Sequence, residues 1–382
     1  MSDVIIENPV INSPFKEPQR HFRFAEAGIT NEIVERRRVS AYFIPIAQPR
    51  KKGKQLGFET EWTKDRIKEN DEINRIRSRV ALWRDRDYPD ISKLTRRLLQ
   101  YWTNPDRDNK LFFCQIEAVE TAIYLAEAAG KGGDGWVANL LREASDEANP
   151  GLFRIAFKMA TGAGKTVVMA MLISWQALNK LANPQSPLFS DAFLVVTPGI
   201  TIRDRLRVLL PNDPQNYYRE RDILPPDLLE ELGKAKILIT NFHAFLLREK
   251  GSIPSFNKAM LLRRGRPSPF TESPDEMVRR VCRELGPKKN IVVIDDDAHH
   301  CYRRKVEADD EKLTGDERRE AQKRDEEARV WVTGLQAVQA KLGIRAVYTT
   351  VSRPFDPPKT GKIAVKVINH YGDEVMKVFR VE

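Results

Sequence analysis

Eight consecutive residues at positions 159–166, Met-Ala-Thr-Gly-Ala-Gly-Lys-Thr, have the composition of a loop that binds nucleoside triphosphates. Gly162 and Gly164 allow the backbone to curl so that its N–H groups point at phosphate oxygens. Lys165 supplies a positive charge for the β- and γ-phosphates, and the Thr166 hydroxyl is of the kind that ligates Mg²⁺. The pattern therefore predicts that ATP and Mg²⁺ bind here. The other loop residues of the expected cofactor site are Ala160, Thr161 and Ala163.

A short strand and a long helix are needed to position this loop, and the flanking sequence supplies both. Residues 153–157 have strand composition, and residues 167–178 have the length and apolar composition of a helix. The positive end of that helix adds to the attraction for phosphate. The strict pattern starts with glycine at the position that Met159 occupies here. A chance Gly-Lys-Thr at a strand–helix turn is the alternative.

A phosphate loop also needs a carboxylate on a neighbouring strand to hold the metal. Residues 291–294 are apolar and are followed at once by three aspartates. Ligands bind at the carboxyl ends of strands in sheets of this kind, and Asp296 lies in that place. An ordinary junction between a strand and a loop is the alternative, because acids often follow buried strands.

Further short apolar runs at 192–197, 237–240 and 345–350 alternate with helical segments. This alternation predicts an α/β fold, in which a mostly parallel sheet carries helices on both faces. We expect a basic N-terminal extension over residues 1–110, the phosphate-loop domain over 111–355 and a tail over 356–382. Within the extension, residues 64–87 are expected to form a solvated helix. The tail is expected to form two strands around a turn near 369–373.

Composition limits the class of protein. Apolar residues make up 41% and charged residues 31% of the 382 residues, and no apolar run approaches the ~20 residues of a membrane span. We therefore expect no membrane partner and a cytoplasmic location. The net charge of +10 favours a polyanionic partner, most commonly nucleic acid. Solvated surface is the alternative for the basic clusters at 36–38 and 50–54.

Together these residues resemble the first motor domain of superfamily 2 helicases. More narrowly, the chain is similar to the restriction subunit of type III-like restriction–modification enzymes over roughly residues 20–350. Residues 159–166 resemble motif I, residues 296–299 (Asp-Asp-Ala-His) resemble motif II, and residues 195–205 resemble motif Ia. Residues 240–245, Thr-Asn-Phe-His-Ala-Phe, match a run that is typical of the type III-like group.

The resemblance implies a RecA-like fold and a role for each matched residue. Asp296 would hold Mg²⁺, partly through water, Asp297 would orient the attacking water, and His299 would link the nucleotide state to the rest of the motor. Gln115 stands where an adenine-reading glutamine is expected; a glutamine that only begins a helix is the alternative. The residues expected to contact the backbone of double-stranded DNA are Thr197, Arg203 and Arg205.

The chain also departs from the family. Asp297 stands where a glutamate is usual, and residues 348–355 replace most of the usual Ser-Ala-Thr-Pro-Phe run. The sequence stops soon after Phe355, so we expect the second motor domain and the nuclease domain to be missing. The tail is similar to the end of adenine-specific methyltransferases that partner such subunits; an ordinary terminal hairpin is the alternative.

The expected function is a DNA-dependent ATPase of helicase type, incomplete as a helicase or endonuclease. Its expected partners are DNA, the remaining domains of the restriction subunit and a DNA methyltransferase subunit. The alternative is a catalytically impaired DNA- and nucleotide-binding module, or a gene-fusion remnant without helicase activity.

Overall fold

The structure is a computed structural model that describes residues 10–25, 28–43, 67–148, 151–160, 162–249, 271–296, 316–351, 362–368 and 374–380. Eleven strands lie in these ranges: β1 His21–Ala25, β2 Gly28–Val34, β3 Ala41–Phe43, β4 Ile67–Glu69, β5 Arg154–Lys158, β6 Ala192–Thr197, β7 Lys236–Asn241, β8 Ile291–Asp296, β9 Ile344–Val351, β10 Lys362–Ile368 and β11 Glu374–Arg380.

Five of the strands form one sheet in the order β5-β9-β8-β6-β7. Every neighbouring pair in this sheet is parallel. All five strands had been predicted from short apolar runs, and the predicted α/β fold with a parallel sheet is confirmed. The carboxyl ends of parallel strands meet at one edge, so the loops after β5, β6 and β8 leave from the same side of the sheet.

The α-helices are α1 Asp71–Asp85, α2 Lys93–Thr103, α3 Phe113–Ile123, α4 Gly135–Ala148, α5 Lys165–Ala182, α6 Ile200–Arg205, α7 Tyr217–Glu220, α8 Pro226–Leu232, α9 Pro274–Val281 and α10 Asp316–Leu342. A π-helical turn, Tyr124–Ala128, continues α3. Short 3-10 turns follow β7 at Phe242–Phe245 and α6 at Leu206–Leu209.

Alternate residues of the sheet strands pack into two separate hydrophobic cores. On β8, Val292 and Ile294 join a core that also contains buried residues of α2, α3 and α5. Ile291 and Val293 point to the opposite face, where they join a core with buried residues of α9 and α10. Because the side chains of a strand alternate between faces, one central strand anchors both layers of helices.

Helix α1 is better packed than its sequence predicted. The dense charges of residues 64–87 indicated a solvated helix, but Ile76, Val80 and Trp83 are buried in the same core as α5. Their spacing places them on one face of the helix, and the charged residues occupy the remainder. The helix also begins later than predicted, because residues 67–69 form β4, which pairs with β3.

A buried carboxylate ties the N-terminal helices to α5. Glu127 accepts hydrogen bonds from the Ser92 backbone N–H at 2.9 Å, the Thr95 hydroxyl at 2.7 Å and the Trp175 indole N–H at 2.7 Å. Ser92 caps the start of α2, and Trp175 lies in the middle of α5. Three donors compensate the burial of this group. Helix α2, which precedes residue 110, packs directly on α5, the helix that follows the phosphate loop. The domain boundary at residue 110 stays a prediction.

Residues 250–288 are rich in proline, arginine and serine, a composition that predicts a surface excursion, but their last part is packed. Residues 274–281 form α9, and its Met277 and Val278 are buried in the second core. The predicted tail hairpin is present, since β10 and β11 pair antiparallel from Lys362 with Arg380 to Ile368 with Glu374. These two strands form a sheet of their own and are not hydrogen-bonded to the five-stranded sheet.

Candidate nucleotide site

The loop between β5 and α5 has the backbone that its glycines predicted. Gly162 and Gly164 have φ values of +81° and +79°, in the left-handed region that favours glycine. The Ala163 N–H donates to the Ala160 carbonyl at 3.2 Å, which closes the turn. Gly164 is the N-cap of α5, so the loop leads directly into the helix N-terminus. Thr161 lies outside the described residues.

The first residues of α5 are accessible, whereas its middle is buried. Lys165 and Thr166 are its first two residues, and both are partly exposed. From Val168 to Asn179 every residue is buried. The helix N-terminus carries a partial positive charge and backbone N–H groups without helical partners. The Lys165 ammonium and the Thr166 hydroxyl are therefore accessible at the positively charged N-terminus of a well-packed helix.

Gln115 contacts the loop directly. Its side-chain oxygen accepts from the Phe112 N–H at 2.9 Å, and its side-chain amide donates to the Ala163 carbonyl at 3.0 Å. The residue is 5% exposed. Gln115 therefore begins helix α3, as the alternative predicted, and also joins that helix to the loop. Its contact with adenine stays a prediction.

Asp296 ends β8 at the same edge of the sheet. Its carboxylate accepts a hydrogen bond from the Thr350 hydroxyl of β9 at 3.1 Å. In the sheet register Asp296 stands beside Thr350, and Thr350 stands beside Phe157 of β5. Two strand spacings, about 10 Å, therefore separate the strand of Asp296 from the strand that leads into the loop. Asp297 and His299, expected to act in catalysis, lie outside the described residues.

The sequence did not distinguish Asp295 from the two aspartates after it. Asp295 is fully buried and accepts a hydrogen bond from the Trp331 indole N–H at 3.2 Å. Burial raises the pKa of Asp295 to about 6, and Arg154 and Trp331 oppose that rise. Strand alternation could have identified it, because Asp295 shares a face with Ile291 and Val293. The Asp295 side chain is therefore part of the core, whereas Asp296 is partly exposed at the end of the strand.

The segment after β6 carries the residues expected to contact DNA. Thr197 is fully buried, and its hydroxyl donates to the Gly199 carbonyl at 2.9 Å, so its side chain shapes the turn into α6. The Arg203 guanidinium forms a salt bridge with Asp204 at 2.8 Å, and Arg205 is exposed. The two arginines are thus accessible at this edge, and Thr197 positions the backbone that carries them. Contact with DNA stays a prediction for all three.

A family model described as the res subunit of type III restriction enzymes matches residues 108–312, more than half of the chain. The chain belongs to this family. A search of curated proteins and a search of solved structures found no match.

The res-family match contains Gln115, the phosphate loop and the aspartates that end β8. It implies a helicase-like, ATP-dependent motor domain. The matched range excludes α1, α2 and β9, although α2 packs on α5 and β9 lies between the loop strand and β8. Within the part of the chain that the structure describes, none of the helices is both long and apolar enough to cross a membrane.

Proposed function

We propose that this chain is an ATP-binding, ATP-hydrolysing motor domain that acts on double-stranded DNA. The observation that carries the proposal is the joining of Gln115 to the phosphate loop at the accessible N-terminus of α5. A res-family helicase-like domain needs such a site to couple nucleotide binding to movement. The site residues lie on the edge of the sheet where ligands bind in folds of this type.

The loop residues suit the triphosphate of ATP. Backbone N–H groups at the N-terminus of α5 would bind phosphate oxygens, and the Lys165 ammonium would neutralise their charge. The Thr166 hydroxyl and the Asp296 carboxylate are oxygen donors of the kind that Mg²⁺ prefers. Bound Mg²⁺ would supply charge neutralisation at the β- and γ-phosphates. Thr350 supports this role, since its hydroxyl holds the Asp296 carboxylate in one orientation.

Catalysis of hydrolysis is assigned to Asp297, which orients the attacking water, and His299, which relays the nucleotide state. Both assignments rest on the motif II resemblance. Asp297 is one methylene shorter than glutamate, which removes about 1.5 Å of reach, and misplacement of this order costs roughly 100-fold in rate. The proposed enzyme is therefore a slow ATPase.

DNA binding is assigned to the edge of the sheet after β6, where Arg203 and Arg205 contact backbone phosphates and Thr197 holds the turn. The net charge of +10 supports this assignment. Phosphate contacts release counterions, so DNA affinity will fall steeply as salt rises. A flat salt response contradicts the DNA assignment.

We also propose that the domain works with partners. By the family resemblance these are the remaining motor and nuclease domains of a restriction subunit and a DNA methyltransferase subunit. This proposal includes the domain boundaries at residues 110 and 355. It also includes the similarity of the tail to the end of a methyltransferase.

The test of the nucleotide site compares Lys165→Ala with Lys93→Ala. Both lysines are the first residue of a helix, but Lys93 is exposed at the start of α2, away from the loop. Nucleotide binding is measured with a fluorescent ATP analogue, and turnover is measured with and without duplex DNA. Lys165→Ala should abolish nucleotide binding and Lys93→Ala should leave it unchanged. Unchanged affinity in Lys165→Ala rejects the loop assignment.

The alternative, a DNA- and nucleotide-binding module without useful ATPase activity, is favoured by the aspartate at position 297. Asp297→Glu separates the two functions. If water placement limits hydrolysis, the variant should turn ATP over faster with unchanged ATP affinity. No turnover in either form, with DNA present, supports the binding module.

A further inference from the structure

A cavity of about 460 Å³ lies beside the first residues of the phosphate loop. Its walls come from the N-terminal segment, from α1, and from the end of β5 with Met159 and Ala160. Five cationic side chains line it: Arg20, Arg37, Arg38, Arg77 and Lys158. The candidate site after β6 includes none of these residues.

The positive charge of these five side chains is not balanced by acidic residues in the described lining of the cavity. Among the described residues that line it, none is an aspartate or a glutamate. Arg37 pairs with Glu117 at 2.6 Å and with Glu17 at 2.8 Å, and Arg20 pairs with Glu35 at 2.8 Å. These carboxylates do not line the cavity, and they compensate the charges of Arg20 and Arg37.

Arg77 lines the cavity without a direct ion pair among the described residues. It is partly buried, and within the described parts of the chain its side chain makes no hydrogen bond or salt bridge. Burial, and then repulsion by Arg37, lower the pKa of Arg77, whereas attraction to Glu117 and Glu17 opposes that shift. A half-desolvated guanidinium beside another cation is unfavourable unless an anion approaches it.

The walls of the cavity are held in place before any ligand binds. Ser40 and Asn74 of α1 exchange two hydrogen bonds, at 2.8 and 3.1 Å, and Asn70 donates to the Ser40 hydroxyl at 3.0 Å. The two Arg37–Glu117 bonds fix the orientation of the Arg37 fork. A preformed site loses less entropy on binding than a site that must be ordered.

We propose that this cavity binds a backbone phosphate of the DNA on which the motor acts, with Arg77 as the principal contact. The inference rests on the proposed function for its choice of partner. Planar guanidinium groups match phosphate oxygens in pairs, which suits Arg77, whereas the Arg37 fork is already held by Glu117 and adds positive charge beside it. The described lining contains no aromatic ring on which a nucleobase could stack, so a strand backbone fits it better than a free nucleotide.

This contact is distinct from the one proposed after β6. Lys158 ends β5 and Thr197 ends β6, and β9 and β8 lie between these strands. Three strand spacings correspond to about 14 Å. Substitutions at the two places should therefore have additive effects on DNA affinity. A DNA strand that contacts both places would pass the edge of the sheet where the phosphate loop lies. This path would connect the DNA to the nucleotide site.

The test compares Arg77→Gln with Arg86→Gln in the full chain. Arg86 is an exposed arginine at the C-terminal cap of the same helix and does not line the cavity. Anisotropy of a labelled DNA duplex is measured over a salt series. Arg77→Gln should weaken binding about tenfold and reduce the slope of log affinity against log salt by about 1. Arg86→Gln should change neither.

Further variants and a second binding measurement distinguish the possible outcomes. Lys158→Gln, at an exposed residue, should also weaken DNA binding and serves if Arg77→Gln fails to fold. If Arg203→Gln weakens DNA binding and neither cavity variant does, the inference is overturned while the proposed function stands. If the cavity variants weaken binding of an ATP analogue and not of DNA, the cavity belongs to the nucleotide and the inference is overturned. If the cavity variants lose DNA affinity in a chain that binds no ATP, the inference stands and the ATPase proposal fails.

Discussion

The side-chain amide of Gln115 donates to the Ala163 carbonyl at 3.0 Å, so the start of α3 is joined to the phosphate loop. The same side chain accepts from the Phe112 N–H. A residue that holds both its own helix and the loop transmits a shift in either one to the other.

Gln115→Ala is expected to weaken nucleotide binding about fivefold, the effect of losing one hydrogen bond that orders the loop. Titration with a fluorescent ATP analogue measures the change. Gln100→Ala is the control, because Gln100 is exposed on α2. Equal affinities in the two variants would show that the loop keeps its shape without Gln115.

Gly164→Ala is expected to destabilise the protein more than Gly162→Ala. Both glycines have positive φ values, so alanine adds about 1–2 kcal/mol of backbone strain at either position. At Gly164 an added Cβ would also lie 2.1 Å from the Gln115 amide nitrogen, whereas nothing lies within 4 Å at Gly162. Adding Gln115→Ala to Gly164→Ala should relieve the clash and leave the strain. Thermal unfolding of Gly162→Ala, Gly164→Ala, Gln115→Ala and the double variant measures the loss of stability from strain and from the clash. Equal losses of stability in the two single glycine variants would contradict the clash.

Thr350→Val and Thr349→Val are the same change on neighbouring residues of β9, with different expected effects. Thr350 donates to Asp296, so its loss should weaken Mg²⁺-dependent nucleotide binding about tenfold. Thr349 is fully buried, and its hydroxyl has no hydrogen-bond partner among the described residues, so valine should be neutral or stabilising. Magnesium titration at fixed nucleotide, with thermal unfolding as the second readout, compares the two. The role of Thr350 is refuted if both variants need the same magnesium concentration as the unmodified chain.

Glu272→Gln is expected to destabilise the protein at neutral pH and to have little effect in acid. Glu272 accepts two hydrogen bonds from Arg280 at 2.8 Å, and these lower the pKa of Glu272. A lowered pKa gives stability that is present above the ordinary glutamate pKa and is lost as pH falls through the lowered value. The loss at neutral pH should be about 1–2 kcal/mol, as expected for hydrogen bonds to a charged group.

Chemical unfolding of Glu272→Gln at a series of pH values measures this difference. Glu231→Gln is the control, because Glu231 forms an exposed pair with Lys234 and such pairs contribute little. A difference between Glu272→Gln and the unmodified protein that stays constant down to pH 3 would be inconsistent with the ion pair as its source.

The five sheet strands were predictable because each contains a short apolar run, which in β6 and β8 is continuous, the signature of a strand buried on both faces. The positive φ values of the loop glycines and the place of Asp296 at a strand end were predictable because both motifs directly follow apolar runs. Helix α1 was misjudged because its many charges concealed the spacing of Ile76, Val80 and Trp83.

Other features depend on contacts between distant segments, which local patterns do not encode. The bond from Thr350 to Asp296 exists only because β9 pairs with β8 in one register. The cationic cavity likewise joins residues of the N-terminal segment, Arg77 of α1 and Lys158 of β5. The sequence showed the basic residues but could not show that they converge.

Among the described strands, β5 pairs only with β9, so β5 has no strand partner until residues 347–351 have been made. During synthesis the ribosome therefore releases the phosphate loop long before the strand that anchors it. Pairings this distant in sequence slow folding. A nascent chain arrested before residue 344 should hold the loop sequence and yet fail to capture nucleotide, and capture should begin once β9 has emerged.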